Sequence, residues 1–97
     1  MNLLEETIDD LKLRGKSEAD VLFVTDEKAW CDWDTFKAGA NFEYDDGFGG
    51  QEINANLKIV GADWWLERHE YDGSECWHFK TMPIKPDSKS FVEYREV

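Results

Sequence analysis

The length, composition and charge of the chain limit what it can be. Its 97 residues are enough for one domain, because a protein of this length buries only about two-thirds of its unfolded surface and cannot divide its core between two units. Apolar residues make up 41% of the chain and aromatic residues 14%, including five tryptophans, which excludes a disordered acidic tail. The 22 acidic and 11 basic side chains give a net charge of −11, which disfavours direct binding to nucleic acid or to an anionic membrane. No run approaches the roughly 18 apolar residues of a membrane span, and the first residues lack the basic region of a signal peptide, so we expect a cytoplasmic protein.

Residues 3–14 have the pattern of an amphipathic helix. Leu4, Ile8 and Leu11 recur at helical spacing, and Gly15 follows the segment as a helix terminator. Because only one face is apolar, we expect this helix to lie against a sheet. Its acidic residues are expected to face water: Glu5, Glu6, Asp9 and Asp10.

The middle of the chain alternates between strand and helix signals. The β-branched and aromatic run at residues 21–25 predicts a central strand that is buried on both faces or close to it. Residues 30–33 are too short and too mixed to be assigned from periodicity. Asp34 is then placed to cap a short helix that extends to about Ala40, and residues 57–60 return to strand character.

The last third of the chain predicts a hairpin and, from it, the fold class. The dipeptide Asp72-Gly73 is a strong signal for a two-residue turn, so residues 64–71 and 75–80 should pair as antiparallel strands. Alternation at residues 91–95 predicts an additional edge strand. We therefore expect a single α+β domain over residues 1–97. Its N-terminal helix and short second helix should pack on a four- to five-stranded, mainly antiparallel sheet with a C-terminal hairpin.

The register of the predicted hairpin places several chemically active side chains on one face. On the core side, Arg68 should stack on Trp77. On the other side, directly opposed residues have Cβ atoms about 4.5 to 5.5 Å apart, near enough for a zinc site. The potential ligands are Glu67, His69, Cys76 and His78. Their spacing fits no established zinc signature, so a solvated polar ladder and a Cys/His nucleophile pair remain alternatives. Trp65 and Tyr71 on the same face indicate cover by the tail or a homodimer contact.

The negative charge is concentrated in the middle of the sequence. Residues 17–57 contain ten acids and two bases, whereas residues 1–16 and 58–97 have net charges of only −1 and −2. Carboxylates grouped on one side of a small domain favour docking on a basic surface, because complementary fields accelerate encounter; simple solubility is the alternative. The candidate binding residues are the acids Asp32, Asp34, Glu43, Asp45, Asp46 and Glu52, with Phe48 or Trp65 as an apolar anchor.

Two segments carry a resemblance to a known group of proteins. The segment YDDGFGGQEI at residues 44–53 and the segment IVGADWWLERHEYDGSECWHFK at residues 59–80 resemble a group of small acidic proteins of bacteriophages and Gram-positive bacteria. The resemblance extends over roughly residues 20–83 and brings no established activity or catalytic residues. In size and charge alone, the chain is also similar to small acidic phage proteins that include anti-CRISPR and DNA-mimic inhibitors.

Together these features predict a non-catalytic interaction module or inhibitor that needs no cofactor. Its partner would be a basic protein surface of host or phage origin, on a protein that handles nucleic acid. The alternative is a small metal-dependent or Cys/His enzyme that uses the hairpin patch.

Overall fold

The computed structural model describes residues 1–45 and 50–96. Within these residues the chain forms two α-helices and a five-stranded antiparallel sheet, so the expected α+β class is confirmed. The strand order is β2-β1-β3-β4-β5, and every neighbouring pair is antiparallel. In chain order the elements are α1 (Leu3–Leu13), a 3-10 turn (Glu18–Asp20), β1 (Phe23–Thr25), β2 (Trp30–Cys31), α2 (Trp33–Gly39), β3 (Lys58–Val60), β4 (Trp64–Tyr71) and β5 (Ser74–Thr81).

Helix α1 forms where its apolar spacing predicts, but one of its acids points inward. The side chain of Asn2 caps the helix by accepting a hydrogen bond from the backbone N–H of Glu5 at 3.0 Å. Leu11 is fully buried against the sheet. The expectation that Glu6 faces water is wrong. Its side chain is buried, because the hydroxyl of Tyr44 donates a hydrogen bond to it at 2.7 Å.

The hydrophobic core lies between the helices and one face of the sheet. Strand register places Val24, Ile59, Leu66 and Phe79 side by side on that face, one from each of four neighbouring strands. Ile59 and Leu66 are completely buried. Burial of a side chain of this size contributes about 1.5–3 kcal/mol to folding, so this row holds the sheet together under the helices.

The first strand differs from its prediction. Strand β1 is the second strand from the edge, and β3 is central. In β1 only Val24 is buried, whereas its neighbours Phe23 and Thr25 are half-buried on the opposite face. The prediction of a strand buried on both faces is therefore wrong, because the core covers only one side of the sheet at this position.

Helix α2 begins two residues earlier than expected. Asp32, rather than Asp34, is the N-cap, and its carboxylate accepts a hydrogen bond from the backbone N–H of Thr35 at 2.8 Å. The preceding residues 30 and 31, which periodicity could not assign, form the short edge strand β2.

The hairpin has the predicted register, and the predicted strand in the tail is absent. Asp72 and Gly73 both have positive φ angles, 55° and 84°, as a two-residue hairpin turn requires. The guanidinium of Arg68 lies 4.6 Å from the centroid of the Trp77 ring, which confirms their expected stacking. The prediction of an edge strand at residues 91–95 is wrong: residues 82–96 are irregular and exposed.

Candidate protein-interaction surfaces

Two of the predicted acidic residues lie at the start of α2. Asp32 and Asp34 are both exposed, and hydrogen bonds from Thr35 lower the pKa of Asp32, which keeps this carboxylate ionised. With Glu18 they line a shallow cavity of about 470 Å³. The nearby Lys37 pairs with Glu18 at 3.4 Å.

Three further acidic residues lie beyond the other end of the same helix. The carboxylate of Glu43 pairs with the N-terminal amine at 3.2 Å. The backbone N–H of Asp45 donates a hydrogen bond to the carboxylate of Glu52 at 3.1 Å. All three residues are exposed. The other two candidates from this loop, Asp46 and Phe48, lie outside the described residues.

We call these five carboxylates the acidic flank: Asp32, Asp34, Glu43, Asp45 and Glu52. The seven residues of α2, which span about 10 Å, separate the two groups of carboxylates. Within the described chain, no lysine or arginine side chain lies within ion-pair distance of Asp32, Asp34 or Glu52. Asp32, Asp34 and Glu52 therefore present negative charge that the lysines and arginines of the described chain do not neutralise.

A buried charge cluster lies behind the flank and was not found from the sequence. It consists of Glu6 on α1, Tyr44, Arg68 on β4 and Glu75 on β5. The Arg68 guanidinium contacts Glu6 at 3.3 Å, the Tyr44 hydroxyl at 3.0 Å and Glu75 at 3.5 Å. The side chains of Arg68 and Glu75 are completely shielded from solvent. One signal in the sequence could have found them, since both fall on the core side of the predicted hairpin.

The cluster fixes the backbone beside Asp45 and Glu52, in the segment that we call the acidic loop. The carboxylate of Glu75 accepts hydrogen bonds from the backbone N–H groups of Glu52 at 2.6 Å and Ile53 at 3.1 Å. Tyr44, which binds Arg68 and Glu6, immediately precedes Asp45. Hydrogen bonds to charged groups contribute about 1.5–3 kcal/mol each. The loop is therefore anchored on both sides of residues 46–49.

Burial changes the protonation of the cluster. Desolvation raises the pKa of Glu6 above 4.5, although the Tyr44 hydrogen bond and the Arg68 charge oppose it. Burial lowers the pKa of Arg68, but the bond to Tyr44 and the charge of Glu6 outweigh this effect, so the guanidinium stays charged. A carboxyl with a raised folded pKa binds its proton more readily when folded. Its contribution to stability is therefore complete below the unfolded pKa and is lost as pH rises through the folded pKa.

The second surface is the face of the sheet opposite the core, which we call the open face. Trp30 and Tyr71 are 71% and 77% exposed there. Trp65 is half-buried, and its indole N–H donates a hydrogen bond to Glu67 at 2.7 Å. Strand register places these side chains on the open face: Phe23, Thr25, Trp30, Lys58, Val60, Trp65, Glu67, His69, Tyr71, Cys76, His78 and Lys80. The open face is not covered by the tail, because residues 82–96 are themselves exposed.

The predicted hairpin patch lies on this open face. The rings of His69 and His78 stack with centroids 4.0 Å apart, and Cys76 is opposite His69 across the strands. Glu67 is opposite His78, but its carboxylate binds the Trp65 indole. In residues 1–45 and 50–96, no group of three or more His, Cys, Asp or Glu side chains is arranged to hold a metal ion.

The surroundings of the patch are also unlike those of a nucleophile. Desolvation raises the pKa of the Cys76 thiol above 9.0, so the thiol is protonated at neutral pH and is a weak nucleophile. Five of the surface cavities in the described chain have volumes of about 220 to 560 Å³, and neither His69 nor Cys76 lines any of these five.

Comparison with protein-family models, with curated proteins and with solved structures finds no match to this chain. Among the described residues, no helix is both long enough and apolar enough to cross a bilayer.

Proposed function

We propose that this chain is a non-catalytic protein-interaction module whose acidic flank binds a basic surface of a protein that handles nucleic acid. The observation that carries the proposal is the set of exposed carboxylates at both ends of α2. No lysine or arginine of the described chain lies within ion-pair distance of Asp32, Asp34 or Glu52. A basic partner would supply the missing counter-charges, and its approach would be accelerated by the field of the flank.

The basic residues of the folded body support this proposal, because many of them already interact elsewhere. Arg68 is buried in the charge cluster. Four others lie at ion pairs or over aromatic rings: Lys37 with Glu18, Lys58 with Glu27, Arg14 over Phe79 and Lys16 over Trp64. Apart from Lys37, which lies on α2 and pairs with Glu18, these basic residues are engaged away from the flank, so the field of Asp32, Asp34 and Glu52 is left to act on a partner.

Rigidity of the flank is a second supporting feature. Asp32 is fixed as the cap of α2, and the backbone N–H of Glu52 is held by the buried carboxylate of Glu75. A surface that is ordered before binding loses less conformational entropy when the partner arrives. The flank is thus suited to recognition of a fixed basic surface, and a partner that normally binds DNA would present one.

Two variants with the same net charge test the proposal. The flank variant is Asp34→Asn with Asp45→Asn, and the matched control is Asp87→Asn with Glu93→Gln in the tail. Each has two fewer negative charges than the wild type. We expect the flank variant to bind a captured basic protein about tenfold more weakly, since two exposed charge contacts are worth about 1–2 kcal/mol together. The tail control should bind as tightly as the wild type.

The partner for this test is isolated by capture from a bacterial lysate on the immobilised protein, and is then purified for titration. Salt should weaken its binding, and duplex DNA should compete with the chain for it if the chain mimics DNA. Equal losses in both variants would show that only total charge matters and would contradict a specific flank. Binding that is insensitive to salt would also contradict it.

A further inference from the structure

The C-terminal tail, residues 82–96, is apolar but lies in solvent. Five large apolar side chains in it are between 62% and 101% exposed: Met82, Ile84, Phe91, Val92 and Tyr94. The tail contributes to a radius of gyration of 16.0 Å, whereas a compact domain of this length has about 12.5 Å. Such a concentration of exposed apolar side chains is typical of a surface that binds another protein.

The sheet ends in a long strand edge close to the start of this tail. Strand β5 has eight residues and is the last strand of the sheet, where it pairs with β4. The opposite edge strand, β2, has only two residues. A long regular edge presents backbone N–H and C=O groups that can pair with a further strand.

We propose that residues 91–95 of one copy of this chain add as a strand to the β5 edge of a second copy, in a reciprocal exchange. The sequence Phe-Val-Glu-Tyr-Arg has strand character. In the isolated chain this segment is irregular and exposed, and pairing with the β5 edge of a second copy would make it a strand. The two pairing segments offer six large apolar side chains, Phe91, Val92 and Tyr94 from each copy, an area on the order of 1,000 Å², which is near the minimum for a specific interface. The exchange is symmetric, so it closes as a dimer.

The prolines at the start of the tail favour a second copy over pairing within one chain. The backbone N–H of Met82 still bonds to the carbonyl of Asp63 at 2.8 Å, and the chain then leaves the sheet. Pro83 and Pro86 have fixed φ angles and hold the preceding residues extended. To pair with its own β5, the chain would have to reverse direction within residues 82–90, where the two prolines leave only residues 87–90 for the turn. To reach the edge of another molecule, it can continue outward.

Charge distinguishes this proposal from binding to a basic partner. Residues 82–97 contain three acids and three bases, so the tail brings no net charge to a body of −11. The two bodies of a dimer repel each other, and added salt screens that repulsion. Salt should therefore strengthen the dimer, whereas it should weaken binding to a basic protein. Either proposal can fail without the other.

Light scattering and sedimentation equilibrium on the full chain test the exchange with two proline variants. Val92→Pro removes a backbone donor within the pairing segment, and Ser88→Pro is the matched control between Pro86 and that segment. We expect wild type and Ser88→Pro to form dimers of twice 11.3 kDa that tighten with salt, and Val92→Pro to dimerise at least tenfold more weakly. Thermal unfolding of the monomer should be the same in both variants, because residues 88 and 92 are exposed and irregular.

Hydrogen exchange of the β5 amides completes the test. In the proposed dimer, their protection should increase with protein concentration and disappear in Val92→Pro. A chain that stays monomeric at all concentrations would overturn the proposal, as would a dimer that is indifferent to Val92→Pro. Protection of β5 in a monomer, independent of concentration, would instead indicate that the tail pairs with its own sheet.

Discussion

Replacement of Arg68 by methionine tests whether the buried charge cluster holds the domain together. The change leaves the carboxylates of Glu6 and Glu75 buried without their cation, and it removes the stacking on Trp77. Removal of one partner from a buried ion pair destabilises a protein by about 3–5 kcal/mol. This is a large part of the total stability of a domain, which is about 5–15 kcal/mol. Glu6 can limit the loss by taking up a proton, because its pKa is already raised by burial. We therefore expect a loss of about 3 kcal/mol at pH 7 and a smaller loss at about pH 5.

Urea unfolding followed by tryptophan fluorescence measures this loss, with Arg14→Met as the matched control. Arg14 is exposed and lies over the Phe79 ring, so the same substitution there should change stability by less than about 1 kcal/mol. Adding Glu6→Gln to Arg68→Met should restore about 1–3 kcal/mol of the lost free energy of unfolding, since a neutral amide needs no counter-charge. The reasoning is refuted if Arg68→Met is as stable as Arg14→Met.

Two further substitutions test packing and protonation. Gly61→Ala should destabilise the domain by about 1–3 kcal/mol in the same assay, because a Cβ atom there would overlap the buried indole of Trp64, whereas Gly39→Ala meets open space and should be neutral or slightly stabilising. A Gly61→Ala protein as stable as Gly39→Ala would show that Trp64 can move aside. The wild type should lose stability as pH rises from about 4.5, and this loss should be smaller in Glu6→Gln. Asp9→Asn removes the same charge at an exposed site and should lose stability with pH as the wild type does. Identical pH profiles for these two variants would contradict the assigned burial of Glu6.

The features that the sequence predicted correctly depend on neighbours along the chain. The Asp72-Gly73 turn fixes the hairpin register, and the register alone places Arg68 over Trp77. Strand β2 escaped assignment because two residues contain no period to detect. The tail strand was overpredicted because local alternation does not reveal whether an edge is available to pair with it.

The burial of Glu6 could not be predicted from its own segment. Helical periodicity places this residue nearly opposite the predicted apolar stripe, and its partners are Tyr44 and Arg68, which are 38 and 62 positions away in the sequence. Only the assembled fold supplies the hydroxyl and the cation that make a buried carboxylate tolerable. A separation of 22 positions likewise hid the contact of Glu75 with the backbone of Ile53.

The most direct test of the acidic flank is the rate at which the chain associates with its captured basic partner, measured by stopped flow at low and high salt. The wild type and the tail control, Asp87→Asn with Glu93→Gln, should associate rapidly at low salt and slow at least tenfold between about 0.05 and 0.5 M salt. The flank variant, Asp34→Asn with Asp45→Asn, should associate more slowly at low salt and show a shallower salt dependence. Equal association rates for all three proteins, at every salt concentration, would contradict the proposal that the flank guides binding.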